Sequence, residues 1–366
     1  MRQGAFVFSA LERCYGDFTS SVREQVKRDQ YFRGANTFSV TMAAEVSSVR
    51  TMPQGRRFAF PWRGAVGNGV FFGLCLLAGT VVLITLLAVI AQLVVESRPS
   101  IEAFGIGFLT RSVWDPVAEQ FGALPFIYGT LVSSLLALLL AVPLSLGAAV
   151  FLVEIARGWV RSVLSFLIEA LAAVPSVVYG VWGIFVLVPW LLEHVSMPLA
   201  ETWGEAIPLV APPATGPSML SAAVILAIMV TPIITSVARD VLLAIPRSQR
   251  EAALALGSTR WEAIRTVVGT ARWGIFGAII LGLGRALGET MAVTMVIGND
   301  PSIHASILQP AYTLASVIAN EFTEATTPLY VSALIEIGLV LLLTTLVVNI
   351  VARLLVWSIA RRYSQQ

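Results

Sequence analysis

Long stretches without charged residues dominate the chain from residue 63 onward. A membrane-spanning helix needs about 20 mostly apolar residues, because the hydrocarbon core is about 30 Å thick and each helical residue rises about 1.5 Å. Four uncharged stretches exceed this length, and two further apolar stretches carry charges inside them. The pattern therefore predicts six spans, at residues 69–95, 124–153, 166–192, 218–238, 273–298 and 328–352.

Composition places the chain in the integral membrane class. It is 57% hydrophobic and 13% charged, with a mean hydropathy of +0.81, whereas soluble chains are about 45–50% apolar and about 25% charged. We therefore predict an all-α integral membrane protein. The 24 basic and 22 acidic residues leave no basic excess for nucleic acid. Two cysteines cannot form a disulfide framework, and the two histidines, His194 and His304, are too distant in sequence to predict a metal site or a catalytic triad.

Arginine placement predicts the orientation of the spans. Fifteen arginines within about 20 residues of the spans lie on the side that both termini share, whereas only Arg98 and Arg111 lie on the other side. The positive-inside rule then makes both termini cytoplasmic. The predicted organisation is a cytoplasmic N-terminal tail that is disordered or an over-extended start (1–62), a first transmembrane helix with a periplasmic loop (63–120), a transmembrane core (121–353) and a cytoplasmic C-terminal tail (354–366).

The longest cytoplasmic loop reads SQREAALALGSTRWEAIRTVV, at residues 248–268. Two capping boxes are predicted, Ser248 with Glu251 and Thr259 with Glu262, because a serine or threonine side chain caps the third helical amide and the glutamate reaches back. Gly257 between them supplies the left-handed residue that ends a helix. The loop is therefore predicted to be a helix, a glycine corner and a second helix. Its use is either docking into a groove of another protein or that of an ordinary amphipathic hairpin at the membrane interface.

Two opposite charges lie inside the fifth predicted span. Arg285 and Glu289 are four residues apart, so they are expected to share one helical face. An arginine at the centre of a span costs about 2.5–3.5 kcal/mol, so it should face protein or a wet path and pair with a carboxylate. The pair either lines an anion route or braces the helix bundle as a neutral unit. The small residues Gly284 and Gly288 are expected to form a close helix-packing seam. Glu336 in the sixth span and Glu169 at the start of the third are further candidates for functional charges.

Several of these motifs resemble one family. Glu251-Ala252-Ala253 followed by Gly257 resembles the EAA loop of bacterial ABC importer permeases, although Val267, Gly269 and Thr270 stand where that family has isoleucine and then leucine-proline. More narrowly, three segments are similar to the phosphate-specific permeases of the PstC type: GALPFIYGTLVSS at 122–134, LAAVPSVVYGVWGIFVLVP at 171–189 and RALGETMAV with IGN at 285–299.

The resemblance implies a six-helix type I ABC importer permease bundle with a cytoplasmic coupling helix, placed in the bacterial inner membrane. It implies import of inorganic phosphate with a PstA-type second permease subunit, two PstB-type cytosolic ATPase subunits and a PstS-type phosphate-binding protein. The roles that it implies for residues are a transport pathway at Arg285 and Glu289, and an ATPase contact at Glu251, Ala252, Ala253 and Gly257.

The chain is not predicted to be the motor. A P-loop needs a lysine after its glycine frame, and the single lysine of this chain, Lys27, has no such frame. No cofactor is therefore expected on this chain, because the partner ATPase would bind ATP and magnesium. Two alternatives stay open: an ABC permease for another oxyanion such as sulfate or molybdate, and a stand-alone carrier whose Glu289 or Glu336 moves protons.

Overall fold

The computed structural model describes residues 65–363, with side chains from 69 to 357. The predicted tail at 1–62 lies outside the described residues. Contacts divide the chain into two units, 1–79 and 80–366; the described residues of the first unit are helical, and the second contains all other elements. The α-helices are α1 (Ala65–Glu96), α2 (Arg98–Phe104), α3 (Gly107–Thr110), α4 (Leu124–Val150), α5 (Gly158–Ala172), α6 (Ser176–Trp182), α7 (Val188–Leu191), α8 (Met197–Trp203), α9 (Met219–Ala244), α10 (Arg247–Ala255), α11 (Arg260–Leu287), α12 (Met291–Val296), α13 (Leu314–Glu321) and α14 (Pro328–Tyr363).

Six helical segments of the described chain are long and apolar enough to cross a membrane, which confirms the predicted number. The first, second, fourth and sixth agree closely with the predicted positions, whereas the third and fifth are displaced. The six segments are Gly69–Glu96, Leu124–Ile155, Ser176–Trp203, Met219–Ala244, Arg260–Leu287 and Pro328–Trp357.

The third span begins ten residues later than the predicted start at 166. The preceding residues form a separate helix, α5, which ends before Pro175. Proline lacks an N–H and disfavours helical geometry in the residue before it, so it separates the two helices. The span then continues to Trp203 through two π-helical turns, Gly183–Leu187 and Leu192–Ser196.

The fifth span is displaced in the opposite direction. It begins at Arg260, directly after the Thr259–Glu262 capping box, and ends at Leu287 instead of 298. Gly288 leaves the helix, in keeping with the low helix propensity of glycine, and the short helix α12 follows. The loop helix and the span that were predicted as separate elements are therefore one continuous helix.

The fourth span, α9, forms the centre of the core because it packs against both α4 and α11. A glycine allows the closest approach to α11: a Cβ at Gly282 would lie 2.6 Å from Ile234 Cγ1 and 2.8 Å from Val230 Cγ1. The segment at residues 307–309, between α12 and α13, covers the start of α9, where the amide of Leu220 donates to the carbonyl of Ile307 at 2.8 Å. Its backbone groups are thus paired inside the protein, as a membrane bundle requires.

Candidate functional site

The predicted charge pair is present at the end of the fifth span. Nη2 of Arg285 lies 3.3 Å from Oε2 of Glu289. Because α11 ends at Leu287, the two residues do not share one continuous helix as the spacing predicted. The break after Leu287 nevertheless brings the carboxylate back against the guanidinium. The two partners differ in environment, since the side chain of Glu289 is 6% exposed and that of Arg285 is 48% exposed.

The polypeptide holds the Glu289 carboxylate in place from both sides. One oxygen, Oε2, faces Arg285, and the other, Oε1, accepts the amide of Ala292 at 3.5 Å. A buried carboxylate with two donors stays near one position, whereas the half-exposed guanidinium keeps N–H groups that are free to reach an anion. The arrangement can attract an anion transiently without offering an unopposed positive charge.

Arg285 lines a groove of about 430 Å³ between α11 and α14, which we call the arginine groove. A second arginine, Arg353, lies in the same groove and forms no ion pair with any other side chain between residues 69 and 357. The sequence identified Arg353 only as an orientation signal, because nothing local connects it with Arg285. The groove is lined by Ile233, Gly277, Ile280, Leu281, Gly284, Arg285, Asn349 and Arg353.

Within the described residues of this chain, Gly284 and Gly288 do not form the predicted close-packing seam. A Cβ at Gly284 would meet no atom within 4 Å, and one at Gly288 would meet only the carbonyl of Gly284, at 3.6 Å. The close packing occurs at Gly282, on the face that contacts the fourth span. Gly284 instead lowers the wall of the arginine groove beside the guanidinium.

Glu336 belongs to a different part of the molecule. It is buried in α14, and its Oε2 has no hydrogen-bond partner among the described residues. One turn earlier, the hydroxyl of Ser332 accepts the amide of Ser100 at 3.1 Å and donates to the carbonyl of Glu96 at 2.9 Å. This region joins α14 to the end of the first span, and Glu336 is not among the residues of the arginine groove.

The predicted helix, corner and helix of the long loop are confirmed, with one correction. The second capping box forms, since Oε2 of Glu262 accepts the amide of Thr259 at 2.7 Å and Oγ1 of Thr259 accepts the amide of Glu262 at 3.4 Å. The first box, Ser248 with Glu251, is wrong: α10 begins at Arg247 with Pro246 as its N-cap and without a side-chain cap. Ser248 lies inside the helix, where its hydroxyl is no longer placed to cap the first amides.

Gly257 forms the corner in the left-handed conformation, with φ of 84°. Its amide donates to the carbonyl of Leu254 at 3.0 Å, and the hydroxyl of Ser258 donates to the carbonyl of Ala253 at 2.7 Å. These bonds satisfy carbonyls that the end of a helix leaves open. The sequence identified the glycine but not the capping role of Ser258.

The surface of α10 combines small and apolar exposed residues. Glu251, Ala252 and Gly257 are exposed, and Ala253 is partly buried. Two leucines add to this surface, Leu254 on the helix and Leu256 at the corner, the latter 90% exposed. The sequence analysis did not predict that these two leucines are exposed, because a leucine in a helical segment is usually buried in the core.

Comparison with known proteins identifies the family. The family model for the inner membrane component of binding-protein-dependent transport systems matches residues 141–365. The chain belongs to this family. It is therefore a multi-pass inner-membrane permease component with the type I ABC importer permease fold, and the ATPase site of such systems is not on this subunit.

Relatives from distant organisms cover most of the chain. The phosphate transport system permease protein PstC of Mesorhizobium japonicum is 43% identical over 82% of this chain and 93% of its own length. That of Haemophilus influenzae is 45% identical over 75% of this chain and 88% of its own. The probable phosphate transport system permease protein PstC of Methanocaldococcus jannaschii is 38% identical over 70% of this chain and 83% of its own.

Proposed function

We propose that this chain is the PstC-type permease subunit of an ATP-driven importer of inorganic phosphate. The observation that carries the proposal is the ion pair of Arg285 and Glu289, in which a buried carboxylate accompanies a half-exposed guanidinium on the wall of a groove. The names of the relatives, all phosphate permeases, support the choice of phosphate as the anion.

Arg285 is the element of this site that would meet phosphate. A guanidinium offers a planar set of N–H donors that suits phosphate oxygens. In surroundings of low dielectric an unopposed arginine would hold a dianion too tightly for release, because Coulomb energies rise as the dielectric constant falls. Glu289, fixed by the Ala292 amide, reduces the net charge of the site and so keeps the anion's stay brief. Asn349 and Arg353 extend the polar wall of the same groove.

The complete pathway requires partners. We expect a PstA-type permease subunit to cover the arginine groove, because half of the Arg285 side chain would otherwise contact lipid at a high cost. A PstS-type binding protein would deliver phosphate from the periplasm, and two PstB-type ATPase subunits would bind ATP and magnesium. The chain itself needs no cofactor in this scheme.

Helix α10, which we call the docking helix, is the contact through which the ATPase would act. Glu251, Ala252, Ala253 and Gly257 provide a low surface that another backbone can approach, and Leu256 provides an apolar side chain that a cleft can bury. Burying an exposed leucine contributes about 1.5–3 kcal/mol, which makes it the strongest apolar contact of the corner. The docking helix would then lie on the cytoplasmic side, with both termini.

Reconstitution in liposomes tests the proposal. The chain is assembled with the second permease subunit, the ATPase and the binding protein, and uptake of radiolabelled phosphate is measured with ATP enclosed on the ATPase side. We expect uptake that requires ATP and the binding protein, and that excess sulfate does not inhibit. Phosphate uptake by the chain alone, driven by a proton gradient, would establish a secondary carrier instead. If sulfate or molybdate, added at the same concentration as phosphate, inhibited phosphate uptake, the result would favour another oxyanion as the substrate.

A further inference from the structure

Arg250 of the docking helix forms an ion pair within the chain. Its Nη2 lies 2.5 Å from Oε1 of Glu154, and the two side chains are only 24% and 11% exposed. The next two residues, Glu251 and Ala252, are exposed. The docking helix therefore has an outer surface for the ATPase and an inner charge that joins it to another part of the bundle.

Glu154 lies at the end of the second span. It belongs to the π-helical turn Phe151–Ile155, after which the chain becomes extended at Ala156. Single π-helical turns are wider than α-helical turns and rare in proteins, and those that occur are often at functional sites. The ion pair thus connects Arg250 to the last turn of a span that is 96 residues earlier in the sequence, at the point where that span becomes irregular.

The opposite end of the second span is also fixed. The hydroxyl of Tyr128 donates to the carbonyl of His304 at 2.9 Å, and the hydroxyl of Thr130 accepts the amide of Leu314 at 2.9 Å. The 32 residues from Leu124 to Ile155 correspond to about 48 Å at 1.5 Å per residue. The second span, which contains Pro143, therefore connects Glu154 through one helical segment to the chain between the fifth and sixth spans.

We propose that the ion pair of Arg250 and Glu154 is a positioning contact that makes the second span follow the docking helix during the transport cycle. The inference rests on the proposed function and extends it to two residues whose side chains contact each other inside the chain. A partly buried ion pair suits this purpose because its energy depends on the distance between the charges, and because separating the charges leaves both without a partner in a poorly hydrated place.

The test measures phosphate transported per ATP hydrolysed in the reconstituted complete complex. The main variant carries Glu154→Gln together with Arg250→Gln, which removes the contact without leaving a single buried charge. We expect the ratio to fall by about fivefold or more, the lower part of the range for coupling between sites. The reversed pair, Glu154→Arg with Arg250→Glu, is expected to recover at least half of the lost ratio, and so is the conservative single variant Arg250→Lys compared with Arg250→Gln.

A second ion pair provides the matched control. Arg239 Nη1 and Glu169 Oε1, 3.0 Å apart, join the fourth span to α5 and do not involve the docking helix. The control pair is less buried, since the side chain of Glu169 is 57% exposed, and Arg239 also contacts Oδ1 of Asp240 at 3.0 Å. Glu169→Gln with Arg239→Gln should leave the ratio unchanged, since it removes an ion pair that does not involve the docking helix.

The result that overturns the inference is a double variant of Glu154 and Arg250 with the wild-type ratio, or an equal loss in the control pair. Failure of the proposed function is seen separately, as a wild-type complex that hydrolyses ATP in response to the binding protein but transports no phosphate. In that case the ATPase activity that the binding protein stimulates, divided by the basal activity, replaces the transport ratio as the readout.

Discussion

Replacement of Gly257 by valine tests the docking corner without altering any packing contact. The residue has φ of 84°, and a Cβ built on it meets no atom within 4 Å. The whole effect of a side chain is therefore on the backbone. A left-handed conformation costs an L-residue about 1–2 kcal/mol, with β-branched residues at the unfavourable end and asparagine the most tolerant after glycine.

The expected magnitude follows from the population of the corner. A cost of about 1–2 kcal/mol lowers the fraction of molecules with the native corner by about 5- to 30-fold relative to glycine. If only that conformation binds, the apparent affinity for the ATPase falls by the same factor. We expect the affinity to decrease in the order glycine, asparagine, alanine, valine, while membrane insertion and the yield of the permease stay unchanged.

The assay is titration of the purified ATPase against the permease pair in nanodiscs, followed by ATP-driven phosphate uptake. Gly269→Val is the matched control, because Gly269 lies exposed within α11 and its Cβ would also meet no atom. Valine is allowed there in helical geometry, so the affinity should change less than twofold from the value for the wild type, against the about 5-fold minimum for Gly257→Val. Wild-type affinity and uptake of the Gly257→Val complex would refute the reasoning, and an equal loss in both variants would show that surface bulk, not backbone conformation, decides.

Three further substitutions test other parts of the structure. Arg285→Gln should reduce ATP-driven uptake about tenfold or more, a loss of about 1.4 kcal/mol or more, at unchanged yield of the complex, with partial uptake in Arg285→Lys; a collapse of assembly with normal transport per complex would assign the pair a bracing role. Gly129→Ala should destabilise the purified chain by about 1–3 kcal/mol, because its Cβ would overlap the carbonyl of Tyr312, whereas Gly147→Ala in the same helix meets open space and should leave the thermal unfolding temperature unchanged or higher. Glu336→Gln should retain ATP-driven phosphate uptake, since the amide has the same shape as the buried carboxyl group. If the wild type took up phosphate under a pH gradient and this variant did not, the result would instead support a proton-coupled carrier.

Sequence patterns correctly predicted the structural elements whose boundaries depend only on residues close to them in the sequence. The number of spans follows from uncharged length alone, because inserting a charge into hydrocarbon is costly and a span needs a minimum number of residues. The corner at Gly257 and the cap at Thr259 involve hydrogen bonds between residues at most five positions apart. The third span was misplaced because counting charges misses two features of this helix. It does not detect the helix break at Pro175, and it ends the span before Glu193, although a helix end at the membrane interface tolerates charge.

Contacts between distant residues could not be predicted in the same way. The pair of Arg250 and Glu154 and the pair of Arg239 and Glu169 each join residues 70 or more positions apart. Arg353 enters the groove of Arg285 because α14 packs along α11, which no local pattern shows. Gly282 rather than Gly284 forms the close helix contact because the rotation of α11 about its axis is set by α9.

If Arg285 and Glu289 line the proposed pathway, the asymmetry within this charge pair indicates on which side a partner would complete it. Glu289 is almost completely buried, so the neutralising charge lies inside this chain, whereas Arg285 directs half of its surface outward. A guanidinium in contact with acyl chains would be costly, so that outward surface needs polar surroundings beyond Asn349 and Arg353, the polar residues that the described part of the chain places in the groove with it. Gly277 and Gly284 leave the groove wall beside it low, which lets a second backbone come close without displacing a side chain. In the proposed function, this chain would therefore provide half of the site, a positive group with its own limiting carboxylate, and a facing permease subunit would complete it.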